Sequence, residues 1–213
     1  MRKISVTDAA TIIAERGKSG RCLTALAGPP AAGKSTAADA LAKAVNVVRP
    51  GSAAILPMDG YHFDDAVLIK RGLRSRKGAP ETFDVGGLAA MLERLKANNE
   101  EEVAVPVFDR DLEIARAGAR IIPREVRHVI VEGNYLLLDR HPWRSLASLF
   151  DTKISIETSM EELRRRLHAR WSSYGLTKEA ILQKVEQNDL PNARLVAAES
   201  IEPEFQLSVV LES

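Results

Sequence analysis

The spacing of apolar residues along this chain alternates between two periods. Apolar runs of four to eight residues predict buried strands, and apolar positions three and four apart predict helices. An early helix is expected with Thr7 as its cap, Ala10, Ile13 and Ala14 on one face, and Gly17 at its end. Cys22-Leu23-Thr24-Ala25-Leu26-Ala27 reads as a strand, followed by an Ala-rich helix over 34–45. A second strand covers 53–56 and stops near Pro57 and Asp59. A short helical piece over 65–71 leads into a basic loop, 72–84, and Leu88, Met91, Leu92 and Leu95 mark the next helix. Short strands are expected over 103–108 and 119–122, and the clearest buried strand over 127–132. A helix over 143–150 and a strand over 153–156 follow. Ser159 and Glu162 form a capping-box pattern for a helix running through Trp171. Helices over 177–187 and 191–198 and a strand over 204–211 complete the chain. Strands alternating with helices predict an α/β fold with a mostly parallel sheet.

Composition narrows the function. The chain has 213 residues, 45% hydrophobic and 28% charged, with Lys+Arg 30 against Asp+Glu 29. At this length a single large core is sufficient, with roughly 70% of the unfolded surface buried. A net charge of +1 does not suggest a dedicated nucleic-acid binder. No apolar stretch approaches the ~18 residues of a spanning helix. The one cysteine, Cys22, has no internal partner and reads as a core residue, and the N-terminus shows no secretory core. The expected setting is therefore the cytoplasm, with no membrane and no nucleic acid. His128, His141 and His168 show no zinc-ligand spacing.

The candidate chemistry begins at Gly28-Pro29-Pro30-Ala31-Ala32-Gly33-Lys34-Ser35, which fits G-x-x-x-x-G-K-[ST] between a strand and a helix. Such a loop turns backbone N–H groups onto phosphates, and its small residues let the phosphates approach. Lys34 is expected to reach the β- and γ-phosphates, Ser35 to offer a hydroxyl to Mg²⁺, and Thr36 to belong to the same turn. Gly17-Lys18-Ser19-Gly20 repeats the Gly-Lys-Ser triplet without the earlier glycine or the strand, and reads as a solvated loop.

Two kinds of phosphate-loop protein compete: a small-molecule phosphotransferase, and a nucleotide-gated switch or regulatory ATPase. Asp84-Val85-Gly86-Gly87 matches the D-x-x-G of a switch, but no apolar strand precedes it, Leu88 follows it, and no N-K-x-D guanine motif occurs. A transferase needs a carboxylate for the acceptor proton, a second acid near the metal and cations for the transferring phosphoryl. Asp59, past the second strand, suits the first role. Glu132, ending Val129-Ile130-Val131, suits the second. Both would stand at the carboxyl edge of a parallel sheet. Arg166 and Arg170 share one helix face and suit the third.

The ordered set of Gly28–Ser35, Met58-Asp59-Gly60-Tyr61-His62, Arg76-Lys77-Gly78-Ala79-Pro80-Glu81-Thr82-Phe83-Asp84, Pro106-Val107-Phe108-Asp109-Arg110 and Val129-Ile130-Val131-Glu132-Gly133 resembles the uridine kinase, phosphoribulokinase and bacterial pantothenate kinase group. Within it the chain looks most like short bacterial chains labelled fructose transport system kinases or nucleoside-kinase-like. The resemblance implies a P-loop NTPase three-layer sandwich with a five-stranded parallel sheet. It implies one kinase domain over 1–213 with lid helices around 160–186. It implies ATP with Mg²⁺ and transfer to a hydroxyl of a small molecule, a sugar such as fructose, a nucleoside or a pantothenate-like alcohol. It makes Asp59 the general base, with Lys34, Arg166 and Arg170 in the catalytic set. It places Tyr61, His62, Phe83, Asp109, Arg110 and Asn192 around the acceptor. A homodimer stays open as an assembly. Pantothenate kinases carry His where Arg110 stands, and neither substrate pattern is complete here.

Overall fold

The computed structural model of the chain describes residues 1–17 and 20–208. The chain alternates strands and helices: β1 (Arg2–Ile4), α1 (Val6–Arg16), β2 (Cys22–Ala27), α2 (Lys34–Val48), β3 (Ala53–Pro57), α3 (Asp65–Lys70) and α4 (Val85–Ala97). A ribbon, β4 (Glu102–Asp109) and β5 (Ile114–Pro123), precedes β6 (His128–Gly133) and β7 (Thr152–Ile156). Then come α5 (Met160–Ser173), α6 (Lys178–Lys184), α7 (Leu190–Glu199) and β8 (Phe205–Leu207).

The main sheet has the order β1-β8-β7-β2-β6-β3, and every pairing in it is parallel. It carries six strands rather than five, because Arg2–Ile4 pairs with β8 as an edge. Only Ile4 of that strand is buried, so no apolar run announced it.

Alternation along β2 divides the core into two layers. Leu23, Ala25 and Ala27 join Val129, Val131, Leu88, Leu92 and Leu95 on one face. Leu26 joins Ile130, Ile154 and the small residues of α1 and α2 on the other. Successive strand side chains point to opposite faces, so one run of apolar residues serves both layers. Each fully buried Leu or Ile contributes roughly 1.5–3 kcal/mol relative to exposure.

Several local expectations shift. The first helix is capped by Ser5, not Thr7: the Ser5 hydroxyl accepts from Asp8 N, and the Asp8 carboxylate accepts from Ser5 N. The chain leaves β1 at Ile4, so the helix starts sooner than the apolar pattern implied. Ser159 caps α5 by accepting from Glu162 N, but the Glu162 carboxylate turns to Arg165 and Arg166 and leaves the box half made. The helix expected at 143–150 is a 3-10 turn over Trp143–Ser148. The two strands expected near 103 and 119 pair with each other as an antiparallel ribbon, irregular at Pro106, and do not enter the main sheet. Residues 18–19 of the second Gly-Lys-Ser triplet and 209–211 of the expected last strand lie outside the described residues. Among the described residues no helix is long and apolar enough to cross a membrane.

Candidate active site

Parallel pairing brings three strand ends to one edge. In the register, Glu132 of β6 lies between Leu26 of β2 and Pro57 of β3. The segments that follow these positions therefore leave the sheet side by side. They are the loop 28–33, the turn Met58–Tyr61 and Gly133-Asn134. The chain runs from β2 to β3 on one side of the centre, while β7 lies on the other, so the loop sits at the point where strand order reverses.

The loop has the backbone needed for a phosphate cradle. Gly33 has φ 92° and Ala31 φ 62°, both left-handed. A Cβ at Gly28 would stand 2.9 Å from the Ile156 carbonyl oxygen, so no larger residue fits between β2 and β7 there. Lys34 is buried, and its Nζ donates to the Pro29 carbonyl at 2.9 Å. Burial pushes the Lys34 ammonium pKa down, against the opposing charges of Glu132 and Asp59.

A cavity of about 220 Å³ brings Lys34, Ser35, Asp59, Arg110, Glu132 and Arg170 together. Ser35 Oγ donates to Glu132 Oε1 at 3.2 Å, and an Arg110 terminal nitrogen donates to Asp59 Oδ2 at 2.9 Å. The two carboxylates are driven apart. Burial and the Asp59 charge raise the Glu132 pKa, against Lys34 and the Ser35 bond. Burial would also raise Asp59, but His62, Arg110, Lys34 and Arg170 outweigh it and hold it below the usual carboxylate value. Asp59 therefore stays ionised while Glu132 takes a proton more readily. A hydroxyl and a carboxylate already in contact form an all-oxygen donor pair that suits Mg²⁺, which binds through one or two protein oxygens plus substrate phosphates. Among the described residues no trio of His, Cys, Asp or Glu forms a metal cage.

An adjoining cavity of about 100 Å³ extends from Asp59 to the helices 160–199. The segment 77–83 forms one wall. Tyr135 Oη donates to Gly78 O at 2.6 Å, Trp143 Nε1 to Pro80 O at 3.2 Å, and Phe63 N to Thr82 O at 3.0 Å. His62 stacks at 4.0 Å on Phe83 and at 4.8 Å on Phe108. Burial lowers the His62 pKa, against Asp59, whose carbonyl also lies 2.8 Å from His62 Nδ1. A separate cavity of about 450 Å³ lies against Gly28, Pro29 and Ile156 and contains neither Lys34 nor Asp59. No Lys or Arg side chain lines it.

The expected site residues do not all meet. His62, Phe83 and Arg110 line the cavity of about 100 Å³, and so does Arg170. Tyr61 does not: it is buried in the core with its hydroxyl unbonded, because Met58–Tyr61 is a 3-10 turn of three residues per turn, which puts Asp59 and His62 on one face and Tyr61 off it. Asp109 accepts from Asp111 N, Leu112 N and Arg116, and so caps the ribbon's turn. Asn192 is buried behind the cavity and donates to Asn188 Oδ1 at 3.3 Å. Arg166 reaches only the rim, donating to Glu162 at 2.6 Å and to the Ala31 carbonyl at 3.3 Å. Asp84, the start of the D-x-x-G match, caps α4 by accepting from Gly87 N at 2.9 Å. Asn134, Trp171 and Asp189 line the cavities without having been singled out as site residues. Asn134 follows the Glu132-Gly133 strand end, which was the available signal. Trp171 read as a residue of the helix opened by Ser159.

Comparison with known proteins agrees with this geometry. The profile of the Phosphoribulokinase / Uridine kinase family matches residues 23–207. A Schizosaccharomyces pombe protein named "Putative uridine kinase C227.14" is 32% identical over 195 residues, covering 88% of this chain and 83% of that protein. A pantothenate kinase of Listeria monocytogenes is 29% identical over 146 residues, 67% of this chain and 47% of that protein. The crystal structure of a "putative fructose transport system kinase" from Silicibacter sp. TM1040 superposes with a TM-score of 0.88 at 40% identity, covering 95% of this chain and 98% of that one.

Proposed function

We propose a reaction for this chain, which belongs to the Phosphoribulokinase / Uridine kinase family: transfer of the γ-phosphoryl group of ATP to a hydroxyl of a sugar, nucleoside or pantothenate-like alcohol. The observation that carries it is the shared cavity of Lys34, Asp59 and the Ser35–Glu132 pair. Relatives named for uridine, pantothenate and fructose chemistry fix the class of reaction but differ in acceptor.

In this reading the backbone N–H groups from Ala31 to Thr36, in the loop opened by Gly28, bind the phosphates, and Lys34 leaves Pro29 to meet the β- and γ-oxygens. Ser35 and Glu132 would hold Mg²⁺, which when bound neutralises charge on those oxygens. The ionised Asp59 orients the acceptor hydroxyl and takes its proton as the oxygen bonds to the γ-phosphorus and the bond to ADP breaks. Arg110, released from Asp59, faces the acceptor. Arg170 meets the transferring phosphoryl and excludes water. Residues 1–213 act as one catalytic unit, with α5 and α6 as its lid. His62, Phe83, Phe108 and Asn134 shape the acceptor side, and Tyr61, Asp109 and Asn192 support it from behind.

The test is a panel of D-fructose, uridine and pantothenate incubated with ATP and Mg²⁺. ADP release stimulated by one acceptor is the expected result. Release indifferent to every acceptor sinks the transferase and restores the regulatory ATPase.

A further inference from the structure

Asp189 stands in the acceptor-side cavity although α6 and α7 read as ordinary helices. The reason is a π-turn over Val185–Asp189, in which Leu190 N donates to Val185 O. The wider turn inserts an extra residue, a device found most often at functional sites. It faces Asp189 toward the space that also holds Asp59 and His62. The turn is held from both sides. Asn188 Nδ2 donates to the Lys77 carbonyl at 3.1 Å, and Asn192 Nδ2 donates to Asn188 Oδ1.

The lone-pair count at Asp189 is incomplete. Its Oδ2 accepts from Trp171 Nε1 at 2.7 Å, and among the described residues nothing donates to its Oδ1. Among the described residues no cation lies within ion-pair distance of it, although Arg170 and Lys184 act on it from farther away. Burial raises its pKa against the Trp171 bond and those two charges. The Trp171 ring is itself fixed, with the Lys184 ammonium 4.3 Å and the Arg170 guanidinium 5.4 Å from its centre. A half-buried carboxylate held this firmly in a cavity wall, with one oxygen lacking a donor among the described residues, draws its second donor from whatever fills that cavity.

We propose that Asp189 Oδ1 accepts a hydrogen bond from a second hydroxyl of the acceptor, distinct from the one facing Asp59, so that the acceptor is an uncharged polyhydroxy compound. The charges in the cavity favour this class. An amine would meet Arg74, Lys77, Arg110, Arg170 and Lys184. An anion would find Arg74 and Lys77 already bound to Asp65, and would face Asp59, Glu113 and Asp189. A neutral hydroxyl donates to a carboxylate without opposing either set. Trp171 acts as a positioning residue that aims Asp189 and ties it to the helix carrying Arg170.

The inference deepens the transferase reading and rests on it for the second contact at Asp59, but its test is binding alone. The chain has 2 tryptophans: Trp143 is buried in the core and Trp171 bonds to Asp189. Intrinsic fluorescence of the whole protein is titrated with D-fructose, D-ribose, uridine and 1-propanol, without nucleotide. A saturable change is expected with at least one polyhydroxy probe and none with 1-propanol. Asp189→Asn keeps the shape but offers the cavity an amide donor, and should weaken that probe's Kd roughly 10- to 100-fold, the range of a hydrogen bond to a charged group. ATP affinity should stay within about twofold. If Asn does not fold, Asp189→Glu displaces the carboxylate and should weaken the same probe. Unchanged probe affinity in the folded variant, equal loss of ATP affinity, or silence from every probe overturns the proposal. A wild-type protein that binds the sugar yet releases no ADP with it refutes the transferase reading and leaves the Asp189 contact standing.

Discussion

Replacing Asp59 by Asn separates chemistry from binding, because the structure specifies what else changes. The side chain keeps its size and loses its charge and its proton-accepting oxygen. The bond from Arg110 is an ion pair open to solvent, its side chains 44% and 25% exposed, so its loss costs about 1 kcal/mol of stability or less. Glu132 is raised by burial and then by the Asp59 charge; with Asn at 59 the second cause is gone and Glu132 ionises more readily. Lys34 loses one of its two supporting carboxylates and keeps Glu132, which also holds Ser35. The oxygens proposed for the metal are therefore kept or slightly improved, and nucleotide affinity should stay within about threefold. The missing proton acceptor is a different matter. General bases supply roughly 10²- to 10⁴-fold, equivalent to about 2.7–5.5 kcal/mol of barrier. The assay is ADP release at saturating ATP and acceptor, with nucleotide binding measured separately by calorimetry. Turnover within about fivefold of wild type would remove Asp59 from the base role. Parallel losses of turnover and nucleotide affinity would show that its charge organises the phosphate site instead.

Other perturbations address other parts. Arg170 lines both cavities and, among the described residues, has no carboxylate within ion-pair distance, whereas Arg166 is held by Glu162. Arg170→Ala should lose roughly 10²- to 10³-fold in kcat, as a lost transition-state donor does, and Arg166→Ala clearly less; the reverse order would reassign the phosphoryl contact. Gly60→Ala places a Cβ 2.6 Å from the Pro106 carbonyl oxygen, forcing the ribbon off the turn that carries Asp59. About 1–3 kcal/mol of stability should go, at roughly 2–4 °C of Tm for each, and an unshifted melting curve would mean the ribbon yields freely. His128 is fully buried with both ring nitrogens unbonded, and burial, then the Arg49 charge, pushes its pKa down. The folded pKa lies below the unfolded value of ~6.5, so the contribution is intact above that pH and falls as acid protonates the unfolded chain first. His128→Leu should flatten the decline in urea midpoint between pH 7.5 and 5, and identical slopes would clear His128 of the acid sensitivity.

The strand ends were legible in the sequence, and so was the set of candidate residues attached to them. In a parallel sheet a run of buried residues fixes where a strand stops, and all such stops share one edge. Gly28–Ser35 after β2, Asp59 after β3 and Glu132 at the end of β6 needed nothing more to be brought together. Edge and accessory strands were harder. Arg2–Ile4 buries one side chain and has no apolar run to read, whereas the ribbon strands were expected over 103–108 and 119–122 but carried no sign that they pair with each other outside the main sheet.

What the sequence left open was direction, the way a side chain points one to three residues beyond a legible stop. Tyr61 and His62 are adjacent, yet one enters the core and the other the cavity. Asp109 closes a turn on backbone N–H groups while Arg110 beside it crosses to Asp59, a choice set by the geometry of the ribbon turn. The segment 188–192 shows the same effect at the scale of a helix. An unbroken helix puts Asn188 and Asn192 on one face, and they do bond to each other, but behind the cavity. The π-turn rotates the preceding segment by one residue and presents Asp189 instead. Period-counting assumes a constant turn, so it errs where a single inserted residue has been placed, and such insertions concentrate at functional sites. The expectation at Asn192 fell three residues from the one that lines the cavity; the hydrogen-bond ladder decides which residue of this segment faces that space.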